Sequence, residues 1–145
     1  MFVGYGLVLE IQRRVEPQIW CAWEQLASRI EQNGQPQKLY VFEDLVAYHF
    51  WFATRARSDL QILKVNGVPD MVEDRAYFLP RGFNVVRTVD ANEVSGDRFW
   101  IAFRDMKWDE RHPPLNVLVD RGFKLGQPQI IDAGGLKAFL VEVRK

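Results

Sequence analysis

Two adjacent carboxylates, Glu43 and Asp44, directly follow an apolar run at residues 38–42 that is predicted to form a short buried strand. In open α/β sheets, ligands bind beyond the carboxyl ends of strands, so a carboxylate pair at this point could hold a hydroxylated ligand or a divalent ion. Capping of the next helix by Asp44, together with compensation of the helix macrodipole, explains both residues without a ligand, and the sequence favours that explanation. Glu43 and Asp44 stay candidate ligand-binding residues.

A second group of candidates lies in and beside residues 68–97. Arg75 and Arg81 could bind a phosphate or pyrophosphate group through their guanidinium groups, as could Arg98 and Arg104 nearby. The alternative is a solvated network in which these arginines pair with neighbouring carboxylates, and the sequence favours it.

Three tryptophans could stack on sugar rings if they are exposed: Trp51, Trp100 and Trp108. Large aromatic side chains more often belong to the core, and this is the simpler expectation for all three. Trp108, which falls in the polar loop of residues 105–112, is a candidate ligand-binding residue.

The remaining reactive residue types give no catalytic pattern. His49 lies in an aromatic-rich predicted helix and is expected to be packed, while the spacing of acidic residues before His112 matches no recurrent metal site. Cys21, the only cysteine, lies within a predicted helix and is expected to be buried and unreactive. Neither a Gly-x-Ser-x-Gly elbow nor a phosphate-binding Gly-Lys-Ser/Thr loop occurs. The sequence therefore predicts no catalytic residue, no metal and no cofactor.

Hydrophobic periodicity places these residues on a succession of helices and strands. A helix is predicted at 17–32, because apolar residues recur at spacings of four, three and four from Ile19 to Ile30. Asn33 and Gly34 provide its C-terminal stop. A strand at 38–42, a helix at 45–55 and a strand at 59–65 then predict a βαβ unit.

Later segments complete the predicted domain. They are a strand at 98–103, a short helix at 115–123, and a closing β-hairpin of residues 129–131 and 138–143. Together the elements predict an α/β fold, a layered sandwich with a mixed, partly parallel sheet and a C-terminal β-hairpin.

Composition agrees with one globular domain. The chain has 145 residues, of which 48% are hydrophobic and 26% charged, which excludes bulk disorder. Lys+Arg and Asp+Glu both number 19, so the net charge is +0. A balanced charge excludes the basic footprint expected of a nucleic-acid-binding domain.

The first nine residues form an apolar run without a charge. A membrane-spanning helix needs about 20 apolar residues, so this run is too short to cross a bilayer by itself. It is either a first strand packed on the core or the trailing end of a transmembrane helix from a longer parent. In the second case, Arg13 and Arg14 would lie at the lipid–water interface, which favours a cytoplasmic domain. We therefore expect an apolar stub at 1–10 and a single α/β domain at 11–145.

Three stretches carry a resemblance to a known family. Residues 39–51 (LYVFEDLVAYHFW), residues 96–103 (GDRFWIAF), and the closing helix and hairpin to Val143 resemble the soluble C-terminal domain of multi-spanning glycosyltransferases of family 39. This is the dolichyl-phosphate-mannose and aminoarabinose transferase type, in a cyanobacterial-like version. The resemblance covers the chain from about Ile11 to its end.

The resemblance implies a function without implying catalytic residues in this chain. Members of the family use polyprenyl-phosphate sugar donors, and their acidic catalytic residues lie in an early loop between membrane helices. The implied role is an extracytoplasmic (periplasmic) accessory domain, not catalytic by itself. Its implied partners are the membrane part of the same protein and a lipid-linked sugar or acceptor. The alternative is a stand-alone soluble α/β module, in the cytoplasm, that binds a small ligand or a protein partner.

Overall fold

The computed structural model describes residues 18–34, 36–54, 59–66 and 87–145. The predicted apolar stub at 1–10, and with it the boundary of the α/β domain, lies outside these ranges. The candidate residues Arg75 and Arg81 also lie outside them.

The first helix, α1 (Ile19–Asn33), follows the predicted apolar stripe. Trp23, Leu26 and Ile30 on that stripe are fully buried. The helix ends at Gly34, whose φ of 65° is in the left-handed region and whose N–H donates to the carbonyl oxygen of Ile30 at 3.2 Å. The predicted C-terminal stop is confirmed.

The predicted βαβ unit is confirmed as β1 (Lys38–Val41), α2 (Asp44–Ala53) and β2 (Gln61–Asn66). Strands β1 and β2 are parallel neighbours, and β3 (Thr88–Asp90) extends the parallel part beyond β2. The long strand β4 (Arg98–Asp105) pairs in parallel with the other side of β1. Strand β1 therefore lies between two parallel partners.

The other half of the sheet is antiparallel. Strand β7 (Leu136–Arg144) pairs with β4 from the Arg98–Arg144 pair to the Asp105–Lys137 pair. Its opposite side pairs with the two-residue strand β5 (Lys124–Leu125) and with β6 (Gln129–Ala133), which forms the predicted hairpin with β7. The strand order is β3-β2-β1-β4-β7-β5, with β6 also on β7. The structure thus has the predicted α/β class, with a mixed sheet and a closing hairpin.

Helices cover both faces of this sheet. Helices α1 and α2 pack on one face, against even-numbered residues of β4 such as Trp100 and Ala102. The 3₁₀ turn Ala91–Glu93 and helix α3 (Pro113–Asp120) lie on the other face, where Phe99, Ile101 and Phe103 are buried. Because side chains alternate across a strand, one run of apolar residues in β4 supplies both cores.

No helix in the described part of the chain combines the length and apolar character that crossing a bilayer requires.

Candidate functional site

The candidate site lies where two neighbouring parallel strands send the chain to opposite faces of the sheet. Strand β1 leads into α2 on one face, whereas β4 leads into α3 on the other face. In α/β sheets such a divergence leaves a crevice beyond the carboxyl ends of the two strands, and ligands bind there. The polar residues at this position are here named the strand-end cluster: Glu43, Asp44, Lys64, Arg104, Asp105 and His112.

The centre of the strand-end cluster is a buried ion pair between Glu43 and Arg104. Arg104 Nε donates to Glu43 Oε2 at 2.8 Å and to Oε1 at 3.0 Å, and Arg104 Nη2 donates to Oε2 as well. The two residues are 4% and 5% exposed, respectively. A forked contact of this kind compensates for part of the free energy lost when both charges leave water.

This ion pair connects two segments that are far apart in the sequence. Glu43 follows β1 and adopts an extended backbone just before α2, while Arg104 is the penultimate residue of β4. The pair therefore fastens the carboxyl ends of the two central parallel strands to each other. The sequence had offered Glu43 as a candidate ligand-binding residue and Arg104 as a possible phosphate-binding residue, and in the structure the two side chains pair with each other.

Asp44 is the first residue of α2, and the prediction that its carboxylate caps this helix is wrong. Glu43 occupies the N-cap position, with φ −134° and ψ 142°, and no side chain caps the helix. Asp44 Oδ1 instead lies 3.1 Å from Lys64 Nζ on the neighbouring strand β2. The predicted compensation of the macrodipole agrees with this position, because a negative charge in the first helical turn is favourable.

His112 and Asp105 form the third polar contact of the cluster, at the two ends of the loop that joins β4 to α3. His112 Nδ1 lies 3.5 Å from Asp105 Oδ2. The imidazole ring stacks on Phe103, with 5.1 Å between centroids and 11° between planes. Burial lowers the pKa of His112, while the negative charges of Asp105 and Asp109 act in the opposite direction.

The tryptophans are divided between core and surface. Trp100 is 3% exposed and packs beneath α1 and α2, so it cannot stack on a sugar. Trp108 is half-buried and packs against Phe103 and Phe139, with ring centroids 6.0 and 5.6 Å apart. Trp51, on α2, is 40% exposed. The candidate ligand-binding residue Trp108 therefore belongs to the packing of the β4–α3 loop.

Cys21 is exposed, and the expectation of a buried thiol is wrong. The residue lies on α1 about half a turn away from the stripe that contains Trp23 and Leu26. Helical periodicity therefore directs its side chain away from the core, a signal that was present in the sequence.

The sequence missed Lys64, Asp105 and His112 as members of one cluster. Asp105 and Lys64 lie at or near the carboxyl ends of predicted strands, which is the signal that could have grouped them with Glu43 and Asp44. His112 had no such signal, because its position depends on how the β4–α3 loop folds back.

The chemistry available to the strand-end cluster is that of an ion-pair network. Its carboxylates face Arg104, Lys64 and His112. Among the described residues, no group of three or more His, Cys, Asp or Glu side chains could hold a metal ion. These contacts fix the positions of strand ends and of one loop.

No protein-family model matches the sequence, and no curated protein matches it.

Proposed function

We propose that this chain is an extramembrane accessory domain of a membrane glycosyltransferase that uses a polyprenyl-phosphate sugar donor. The observation that supports the proposal is the spatial arrangement of the stretches that carry the family resemblance. Residues 39–51 form most of β1 and α2, residues 96–103 enter β4, and the closing helix and hairpin form α3, β6 and β7. Strands β1, β4 and β7 are consecutive neighbours in the sheet. The resemblance therefore falls on one contiguous structural unit.

The contacts at the strand ends support an accessory role over a catalytic one. Glu43 and Arg104 form an ion pair with each other at the centre of the cluster, and Asp44 faces Lys64. A general acid or base needs access to a reacting group, whereas the Glu43 carboxylate is buried against a guanidinium. In the proposed protein, the sugar-transfer chemistry belongs to the membrane part, and this domain contributes a folded surface to it.

The proposed location of the domain is extracytoplasmic, next to the membrane part of the same protein. Its proposed partners are that membrane part and a lipid-linked sugar or its acceptor. Arg13 and Arg14 favour the opposite, cytoplasmic side by the positive-inside rule. The side of the membrane is therefore tested separately from membrane attachment.

Membrane attachment is tested by tagging the native gene after the codon for Lys145 and fractionating the cells. We expect the tagged protein to sediment with membranes, to resist carbonate extraction and to have an apparent mass well above 17.0 kDa. A species of about 17 kDa that stays in the supernatant would contradict the proposal.

Cys21 provides the test of sidedness, because its thiol is exposed on α1. A membrane-impermeant maleimide added to intact spheroplasts should label the tagged protein, and the Cys21→Ser variant should be labelled less than the wild type. If Cys21 reacts only after the spheroplasts are lysed, the domain is cytoplasmic and the proposed location is wrong.

A second candidate function is a stand-alone module that binds a small ligand. The observation that favours it is the position of the strand-end cluster, at the divergence between β1 and β4 where α/β proteins bind ligands. Recovery of the tagged protein as a soluble species would favour this second function. The next experiment would then screen hydroxylated ligands for a shift in thermal unfolding that the Asp44→Asn variant lacks.

A further inference from the structure

The loop between β4 and α3 is fastened to the sheet by two side chains. Trp108, in the middle of the loop, packs against Phe103 and Phe139. His112, at the end of the loop, stacks on Phe103 and contacts the ring of Phe42, with centroids 6.2 Å apart. Both attachments use the aromatic surface on the α3 face of the sheet, and both depend on Phe103.

Carboxylates organise the backbone of the same loop. Asp105 Oδ1 accepts a hydrogen bond from the N–H of Met106 at 2.6 Å, and Asp109 Oδ1 accepts one from the N–H of Arg111 at 2.9 Å. The N–H of His112 donates to the carbonyl oxygen of Asp109 at 3.1 Å. Asp105 therefore holds the start of the loop with one oxygen and faces the imidazole of His112 with the other.

The surroundings of His112 favour a neutral imidazole. The side chain is 10% exposed, and its ring contacts the aromatic residues Phe42 and Phe103, which also contact each other. His112 is also the N-cap residue of α3, where the positive end of the helix macrodipole opposes a second positive charge. The charged groups that face it from the described elements are Asp105 and Asp109, and both favour protonation. Arg104 points to the other face of β4 and pairs with Glu43.

We infer that His112 and Asp105 form a proton-sensitive clasp that holds the loop of residues 106–111 on the aromatic surface at neutral pH and loosens it in acid. When His112 takes up a proton from solvent, the charged ring becomes more stable in water than against the aromatic surface of Phe42 and Phe103. The loop opens locally while the sheet persists.

The direction of the pH effect follows from burial. In the closed loop, burial lowers the pKa of His112 below its ordinary value of 6.5. In the open loop the ring is hydrated, so its pKa returns to that ordinary value. The open loop therefore binds the proton more tightly than the closed loop. As pH falls below about 6.5, the equilibrium shifts towards the open loop, until His112 is also protonated in the closed state.

Hydrogen exchange followed by NMR tests the clasp in the full chain. Between about pH 7.5 and pH 4.5, the protection factors of the amides in residues 106–112 should fall by about threefold or more, while those of β4 and β7 stay unchanged. The His112→Gln variant should have low protection in this loop at both pH values. The chain has two histidines, so His49→Gln is the matched control and should keep the wild-type pH dependence.

An NMR titration of His112 keeps the inference testable if His112→Gln does not fold. The imidazole should titrate below its ordinary pKa, and Asp105→Asn should lower that pKa further because it removes the facing negative charge. Asparagine retains an oxygen that can accept the hydrogen bond from Met106, so the start of the loop should stay in place. A pKa at or above 6.5 would overturn the inference, as would loop protection that changes with pH equally in the wild type and in His112→Gln.

Discussion

The two ends of strand β4 contain the same type of ion pair in opposite environments. At its carboxyl end, Arg104 pairs with Glu43, and their side chains are 4% and 6% exposed. At its amino end, Arg98 pairs with Glu142, and their side chains are 48% and 21% exposed. Glu142 also faces Arg144 at 3.1 Å, so this pair belongs to a solvated network.

The difference in burial determines what each pair does for the protein. An exposed arginine that loses its partner is rehydrated, so surface ion pairs contribute little to stability. A buried arginine that loses its partner keeps an uncompensated charge, so removing one member is strongly destabilising. The buried pair holds the carboxyl ends of β1 and β4 together, whereas the exposed pair can be lost without changing the fold.

The largest expected effect follows from breaking the buried pair. Glu43→Leu should lower the free energy of unfolding by about 3–5 kcal/mol, because it removes the carboxylate that pairs with the buried guanidinium of Arg104. Urea denaturation followed by circular dichroism measures the change. Arg104→Met should cause a loss of similar size.

The double variant Glu43→Leu/Arg104→Met is the control for that prediction. It replaces both charges by apolar groups, so it should recover much of the stability that either single variant loses. If the single variants lose less than about 1 kcal/mol, the pair behaves like an exposed one, and the contrast between the two ends of β4 disappears.

An intermediate effect is expected at Asp44, whose ion pair with Lys64 is partly exposed. Asp44→Asn should lower the free energy of unfolding by about 0.5–1 kcal/mol, because it removes both the contact with Lys64 and a negative charge in the first turn of α2. Comparison with Lys64→Met, which removes the contact alone, separates the two contributions. An equal loss in both variants would mean that the macrodipole contributes nothing here.

A smaller effect, confined to acid, is expected at Glu142. The hydrogen bond from Arg98 is the main cause that holds the pKa of Glu142 below its ordinary value; burial acts in the opposite direction, and the hydrogen bond from Arg144 lowers the pKa further. A carboxyl group with a lowered pKa stabilises the fold above its unfolded pKa of about 4.5, and this contribution is lost as pH falls through the folded pKa. Between about pH 5.5 and pH 3, the wild type should therefore lose more stability than Glu142→Gln. If the free energy of unfolding falls equally with pH in both proteins, the ion-pair network around Glu142 has no effect on stability.

The smallest effect is expected for Arg98→Met. Glu142 keeps Arg144 as a partner in this variant, and the replaced guanidinium is solvated. The urea midpoint should stay within experimental error of the wild type, and any change at low salt should vanish at about 1 M salt, where the Debye length is about 3 Å. A loss comparable with that of Arg104→Met would contradict the distinction drawn between the two ends of the strand.

The regular elements could be predicted from the sequence because their signals are local. The apolar stripe of α1, the stop at Gly34 and the strand–helix–strand pattern each depend on residues that are close together in the chain. The wrong predictions at Asp44 and Cys21 were also local. The first concerned which of two adjacent residues, Glu43 or Asp44, is the N-cap of α2. The second concerned the face of α1 on which Cys21 lies, which the spacing of Trp23 and Leu26 already defines.

The candidate site was less predictable because its contacts join distant parts of the chain. Glu43 and Arg104 are 61 residues apart, and their pairing depends on β4 entering the sheet beside β1. No local pattern determines that β4 lies between β1 and β7. The sequence could therefore predict that Glu43 lies at a strand end, but not that its partner is an arginine of another strand.

The proposed function is tested most directly by sugar transfer with the tagged protein from its native gene, purified in detergent from membranes. We predict that the purified protein transfers sugar from a polyprenyl-phosphate donor, and that the double variant Glu43→Leu/Arg104→Met retains this activity if it remains folded. The proposal would be contradicted if the purified tagged protein has no activity while donor-dependent sugar transfer remains in the fraction that contains the other membrane proteins.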